Sequence, residues 1–279
     1  MHLGLHLPGG QVTLEDVQAS ADSRGIPLDE VGIEGLRYPI LVADCQGAKR
    51  ETVATVAMSV SLEPEAKGAH LSRFIEVLHG SRDQLSPQNV TRIADELRQR
   101  MGSSSARVGM SFPYFLEREA PVTRARAYVE YTCAVTASSE ARGSSMVLSV
   151  EVPVTSVCPC SKAISDRGAH NQRGHITIDV RPVQHPTDLW FDELIDVAEA
   201  AASSPVYALL KRPDERYVTM AGYDNPVFVE DMVRTVAQSL DGWDRIRSYR
   251  VRAINDESIH NHAAFAAVSW RSPAGKAAG

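Results

Sequence analysis

The sequence predicts an α+β fold, an antiparallel sheet with helices on one face, built from a ββααββ order that occurs twice. Three observations carry this. β-Branched runs such as "ETVATVAMSVSL" from Glu51 and "ITIDV" from Ile176 read as strands. Two segments that open near a proline, "SPQNVTRIADELRQRM" and "NPVFVEDMVRTVAQSL", space their apolar residues at helical intervals. The chain also matches itself at an offset of 100 positions: Glu51, Thr55, Ser61, Gly68, Ala69, His70 and Arg73 meet Glu151, Thr155, Ser161, Gly168, Ala169, His170 and Arg173. Such self-similarity suggests two copies of one supersecondary unit.

Taken in order, residues 1–30 read as an arm and residues 31–140 as a first module. Its strands are expected near Tyr38–Asp44 and Thr52–Leu62, its helices near His70–His79 and Pro87–Met101, and its last strands near Ala106–Leu116 and Thr123–Thr136. The second module, 141–279, has strands near Ser144–Val157 and His175–Val183, helices near Thr187–Ala202 and Pro226–Leu240, and strands near Ile246–Ile254 and His262–Arg271. Ser86 and Asn225 suit helix N-caps, with Pro87 and Pro226 at the first helical position. From His70 to Pro87 is 17 positions and from His170 to Pro226 is 56, so the second module carries an insertion that includes "LLKRPDERYVTMAGYD". The copies differ where chemistry would sit: Met58 and Val60 stand where Cys158 and Cys160 stand.

The 279 residues are 43% hydrophobic and 23% charged, and the net charge of -6 argues against a broad basic footprint for nucleic acid. No apolar run approaches a membrane span, and "MHLGLHLPGG" lacks the features of a signal peptide. The four cysteines fit a reducing compartment, with the cytoplasm as the default. Cys45 and Cys133, in apolar surroundings, read as small core residues. A Cys158–Cys160 disulfide would close a strained ring across Pro159.

The span "TSVCPCSKAISDRGAHNQRGH" concentrates the chemistry. Cys158 and His170 supply a thiolate and an imidazole, ligands suited to zinc or iron. Pro159 restricts the backbone and Gly168 permits a tight turn before His170. A catalytic metal needs about three protein ligands and an open position; the insertion offers Asp214 and Glu215 for the third. A finger-like structural zinc site lacks its second cysteine pair. His260 and His262, two apart at the expected start of a strand, would share one side as acid–base groups or as surface histidines. Glu230, in the first turn of a helix, either stabilises the helix dipole or accepts paired N–H groups from a purine or pterin ring.

The segments "TSVCPCSKAISDRGAHNQRG", "LLKRPDERYVT", "NPVFVEDMVR" and "ESIHNH" strongly resemble the GTP cyclohydrolase IB family, from about Gly32 onward. The resemblance implies two tandem T-fold modules per subunit, a homotetramer, and one divalent metal ion per active site, zinc, manganese or iron. It implies Cys158, His170 and Glu215 as metal ligands, Glu230 as the anchor of the guanine edge, and Cys160, His260 and His262 as catalytic partners. The activity implied is conversion of GTP and water to 7,8-dihydroneopterin triphosphate and formate, the first step of tetrahydrofolate synthesis. Lys67, Arg73, Lys162, Arg173 and Arg216 are candidates for the triphosphate or are solvated surface charges. Lys67 and Arg73 would serve only across an interface between modules. The sequence leaves two other readings open. One is a related T-fold enzyme, such as the archaeal-type cyclohydrolase with a cyclic phosphate product. The other is a metal-storage or purine-sensing scaffold.

Overall fold

The computed structural model describes residues 17–45, 47–81, 89–184 and 187–271. β1 (Leu28–Ala43), β2 (Lys49–Leu62), α1 (Ser72–Gly80), α2 (Val90–Met101), β3 (Ser105–Glu119) and β4 (Arg126–Glu140) come first. Then follow β5 (Gly143–Val157), α3 (Pro159–Ile164), β6 (Asn171–Pro182), α4 (Phe191–Ala200), β7 (Ser204–Pro205), α5 (Arg212–Asp224), α6 (Val229–Asp241), β8 (Ile246–Asp256) and β9 (Ala263–Arg271). One antiparallel sheet runs β1-β2-β3-β4-β5-β6-β8-β9, with the short β7 paired to β5. Among the described residues no helix is long and apolar enough to cross a membrane.

The period-two pattern buries one face of every strand up to β8: Val56, Met58 and Val60 on β2, Val150, Val152 and Val154 on β5, Ile176, Ile178 and Val180 on β6. The helices cover that face with their own stripes: Ile93, Ala94 and Leu97 from α2, Leu194, Ile195 and Ala198 from α4, Met232, Val233 and Val236 from α6. Thr55, Ala57, Arg107, Thr136 and Arg173 point to the opposite side.

The strand and helix expectations hold in kind, with longer strands than expected; β1 starts at Leu28 rather than Tyr38. The expected helix start at Ser86 and Pro87 lies outside the described residues, and α2 is described from Val90. The phase of the internal repeat is a correction. His70 is followed by helix α1, whereas His170 is followed by strand β6. The seven matched residues do not outweigh local periodicity: Phe74, Val77 and Leu78 recur at helical spacing, while Gln172, Gly174, Ile176 and Ile178 alternate. Met58 and Val60 are buried core residues of β2, so they do not occupy the structural counterpart of the cysteine loop, which joins β5 to β6. Cys133 is buried as expected, but Cys45 is exposed beyond the end of β1. A hydrogen bond with the Asp192 carboxylate pushes the Cys45 thiol up to about 11, which keeps it protonated.

Two polar clusters lock the insertion and the helix layer in place. On α4, Asp192 accepts from the Tyr114 hydroxyl at 2.7 Å, Asp196 meets Arg118 at 2.7 Å, and Glu199 meets Arg118 at 2.9 Å and the Tyr131 hydroxyl at 2.5 Å. These acids at helical spacing bind α4 across β3 and β4. On α5, the fully buried Asp214 accepts from the backbone N–H of Val122, Thr123 and Lys211 at 2.9, 2.8 and 3.0 Å, and from the Thr123 hydroxyl at 2.6 Å. Burial alone would raise this carboxyl; the Thr123 side chain and the three backbone donors outweigh it and hold it well below the usual carboxylate range. Asp214→Asn replaces an acceptor-only group with one that turns a donor toward these N–H groups. The expected outcome is an unfolding temperature a few degrees lower at neutral pH, measured by differential scanning calorimetry; an unchanged value would remove Asp214 as the anchor of α5.

Candidate functional site

Cys158 and His170 face each other because the β5–β6 register ends at Val157↔Asn171 and continues by one more bond, from the Cys158 N–H to the His170 carbonyl at 3.1 Å. Between them the chain makes the short helix α3 and a turn through Gly168, whose φ of 74° is the left-handed conformation expected there. Ser161 closes the loop: its hydroxyl donates to the Cys158 carbonyl at 3.2 Å and accepts the His170 N–H at 3.1 Å. The Ser161 N–H points at the Cys158 sulfur at 3.4 Å, so Cys158 acts as N-cap of α3. Cys160 sits in that helix and is exposed; both thiols are free.

The imidazole of His170 is turned so that Nδ1 lies 2.9 Å from Gln172 Oε1 and 3.8 Å from Glu257 Oε2. The His170 and Glu257 side chains each retain only 14% exposure. Glu257 and Gln172 went unrecognised in the sequence. Glu257 could have been found as the acid three positions before His260 in "ESIHNH"; Gln172 had no signal beyond a polar residue in an alternating strand. Asn255, on the same face of β8 and one step deeper, is 2% exposed with its Oδ1 unpaired among the described residues. A Cβ on the facing Gly174 would come within 2.4 Å of that oxygen, so only glycine leaves room for it.

Of the two carboxylates that the insertion offered, Asp214 is committed to the backbone donors described above. Glu215, in the first turn of α5, is exposed, and its carboxylate has no partner among the described residues. Gly222 of the same helix packs on Val157. Seven residues at 1.5 Å rise set Glu215 about 10 Å along the axis from that contact. Among the described residues no three of His, Cys, Asp and Glu lie close enough to hold one metal ion. Within one chain, then, Cys158, His170 and Glu257 gather at one end of the sheet, and Glu215 stands apart from them.

His260 and His262 lie in the turn between β8 and β9, not in the strand itself, and are exposed. They are nevertheless side by side, their rings stacked at 5.1 Å and 14°. Glu230 is exposed in the first turn of α6, whose N-cap Phe228 gives no side-chain cap. Of the basic candidates, Lys162 donates to the Tyr223 carbonyl and lies 4.2 Å over the Tyr223 ring, tying α3 to the end of α5. Arg173 on β6 and Arg216 on α5 are exposed. Lys67 and Arg73 lie just before and within α1, after the C-terminal end of β2; the register sets that end level with Gly143 at the start of β5, so they stand at the opposite end of the sheet from Cys158.

In solved structures the fold is found in uricases. The crystal structure of uricase from Arthrobacter globiformis has a TM-score of 0.51 at 8% identity, covering 89% of this chain and 95% of that one. A thermostable urate oxidase mutant from Bacillus sp. TB-90 has a TM-score of 0.52 at 9% identity, covering 88% and 99%. At such identities the likeness concerns architecture alone. Sequence relatives are far nearer. GTP cyclohydrolase FolE2 of Methylococcus capsulatus is 48% identical over 257 residues, 92% of this chain and 95% of that relative. GTP cyclohydrolase FolE2 of Geobacter sulfurreducens is 46% identical over 255 residues, 91% and 97%. The family model described as type I GTP cyclohydrolase folE2 matches residues 14–266, which include the β5–β6 loop, α5, the first turn of α6 and the histidine pair. The chain therefore belongs to the type I GTP cyclohydrolase FolE2 family.

Proposed function

We propose that this chain is a GTP cyclohydrolase that converts GTP and water to 7,8-dihydroneopterin triphosphate and formate, the first step of tetrahydrofolate synthesis. It follows the IB pattern, with two T-fold modules per subunit and one divalent metal per site. The observation that carries the reading is the thiol and imidazole of Cys158 and His170, held across one hydrogen bond in a member of this family. The donor set fits a metal of the zinc, iron or manganese kind: a sulfur, and an imidazole whose Nδ1 is occupied by an acceptor, so that Nε2 is the nitrogen on offer. Cys158, His170 and Glu215 are the proposed ligands. Glu257 faces Nδ1, the wrong nitrogen for a shared ion, and so orients the ring. A divalent metal held there supplies Lewis acidity that makes water nucleophilic at neutral pH.

The chain's own groups divide the remaining work. Opening the purine imidazole ring after attack at carbon 8 requires a proton for the leaving nitrogen. His260 and His262, stacked and solvent-reached, can hold and pass one. Cys160, next to the ligand cysteine, is the further acid–base candidate. Glu230 accepts the two N–H donors that guanine presents side by side, and its place in the first turn of α6 leaves it exposed for that purpose. Lys67, Arg73, Lys162, Arg173 and Arg216 are the pool from which the triphosphate site draws. Glu215, Lys67 and Arg73 stand away from Cys158 in one chain, which favours sites completed between copies; the assembly is proposed to be a homotetramer and its place the cytoplasm. The sheet supports such assembly: among the described residues β1 and β9 are its edge strands, and Phe265 on β9 is 65% exposed.

The direct test is formate release from GTP by metal-stripped protein, with zinc, manganese and iron(II) added back separately. Cys158→Ala and Glu215→Gln are expected to lose both metal and turnover, and Glu257→Gln to keep the metal, as read by elemental analysis. Loss of metal in Glu257→Gln but not in Glu215→Gln would exchange the two roles. His260→Ala and His262→Ala are expected to lower turnover by roughly 100-fold or more while GTP affinity changes little. Near-native turnover in both would leave them as surface histidines. Glu230→Gln should weaken GTP binding roughly tenfold or more, the scale of a hydrogen bond to a charged group, at unchanged metal content. Binding as tight as that of the parent protein would remove Glu230 from base recognition.

A further inference from the structure

The covered face of the sheet is apolar until its last positions near Cys158. On β5, Val150, Val152 and Val154 give way to Ser156, 1% exposed; on β6, Ile178 and Ile176 give way to Gly174 and then Gln172, 7% exposed. Buried hydroxyl and amide groups are costly unless each is hydrogen-bonded. These two are bonded to each other and to groups on either side, and the directions of the bonds are forced.

The Val227 carbonyl can only accept, and the Ser156 hydroxyl lies 2.8 Å from it, so the single Ser156 proton is spent there. The Ser156 oxygen is left as an acceptor for Gln172, whose Nε2 is 3.3 Å away. That contact fixes which way the amide points and turns Oε1 toward His170. Oε1 can only accept, and it is 2.9 Å from Nδ1, so Nδ1 carries the ring proton. Glu257 Oε2, 3.8 Å from the same nitrogen, is too far to accept a hydrogen bond but places a carboxylate on that side. A neutral imidazole has one N–H; with it on Nδ1, Nε2 presents a lone pair. The far end of the relay is equally well held, since the Val227 N–H donates to the Val157 carbonyl at 3.1 Å. Val227 leads directly into α6, three residues before Glu230.

We propose that Gln172 and Ser156 are positioning residues: a one-way relay from the Val227 carbonyl fixes His170 as its Nδ1–H tautomer, makes Nε2 the ligating nitrogen, and ties the ring to the segment that carries Glu230. The part concerning ligation rests on the metal site proposed above; the tautomer does not, because every bond in the relay is made by protein atoms.

The experiment uses metal-free full-length protein with 15N-labelled histidine rings, at a pH where His170 is neutral. Its ring signals are assigned by comparison with His170→Gln. The expected result is a protonated Nδ1 and an unprotonated Nε2. Gln172→Leu should give a mixture of tautomers and a zinc affinity about 10–100-fold lower by competition with a chromophoric chelator. Ser156→Ala should move both readings in the same direction. Gln172→Glu keeps an acceptor at Nδ1 but cannot donate to the Ser156 oxygen, so it should keep the Nδ1–H tautomer while losing the bond to Ser156. An Nε2–H tautomer in the parent protein, or an unchanged tautomer in Gln172→Leu, overturns the relay. If the parent protein shows the Nδ1–H tautomer and loses it in Gln172→Leu yet binds no zinc, the relay stands and the metal reading falls.

Discussion

The Cys158 N–H donates to the His170 carbonyl one step beyond the last paired residues of β5 and β6, and the rest of the site is arranged around that bond. It sets the separation of the two side chains by the geometry of a strand ladder, which is far stiffer than a loop. The residues between, 159 to 169, then need only close a short excursion. Pro159 starts the six-residue helix α3, Ser161 joins both ends through one hydroxyl, and Gly168 takes a left-handed turn that other residues resist. Each of these features is local and inexpensive because the hairpin beneath has already fixed where the ends must be.

The same end of the sheet is where the apolar alternation stops. Ser156, Gln172 and Asn255 occupy covered-face positions that further along the strands belong to Val, Ile and Ala, and Glu257 follows just past the end of β8. Polar side chains in such places destabilise a core unless they are paired, and proteins that tolerate them concentrate them at functional sites. Three of the four are partnered: Ser156 and Gln172 in a relay to His170, and Glu257 against the same ring. Asn255, lying over Gly174, has an oxygen without one. The stability they cost is offset over the remainder of the sheet, where the helices α2, α4 and α6 bury continuous apolar stripes.

Adjacent acids on α5 show how environment separates roles. Asp214 is buried under four donors from residues 122, 123 and 211 and serves to dock the insertion onto the β3–β4 connection. Glu215, one residue later on a helix, points about 100° away around the axis and meets solvent. A carboxylate with its lone pairs already satisfied is a poor ligand, and one without partners is available. This contrast supports Glu215 over Asp214 as the acid that the proposed metal would use.

The sequence by itself determined the type and order of the long strands and of α1, α2, α4 and α6, because period-two and period-3.6 burial patterns reflect which face of each segment must leave water; α3, α5 and the short β7 were not among its expected elements. It also marked Cys158, His170, Glu230, His260 and His262, since those residue types in those short motifs are unusual enough to stand out. It misjudged the phase of the internal repeat: the matched residues align β2 with β5, although the helix expected after His70 and the strand expected after His170 already set the two segments apart. It placed Cys45 in a core that the chain does not extend to, and His262 in a strand that begins one residue later. Tertiary structure alone decided that Asp214 is an anchor, that Glu257 and Gln172 face Nδ1 of His170, and that Ser156 connects them to Val227. Those facts depend on contacts between β5, β6, β8 and the approach to α6, and residues as far apart in the chain as 156 and 227 leave no local pattern when they share a hydrogen bond. Periodicity reports what faces the core; only the register of the assembled sheet reports which buried polar groups meet.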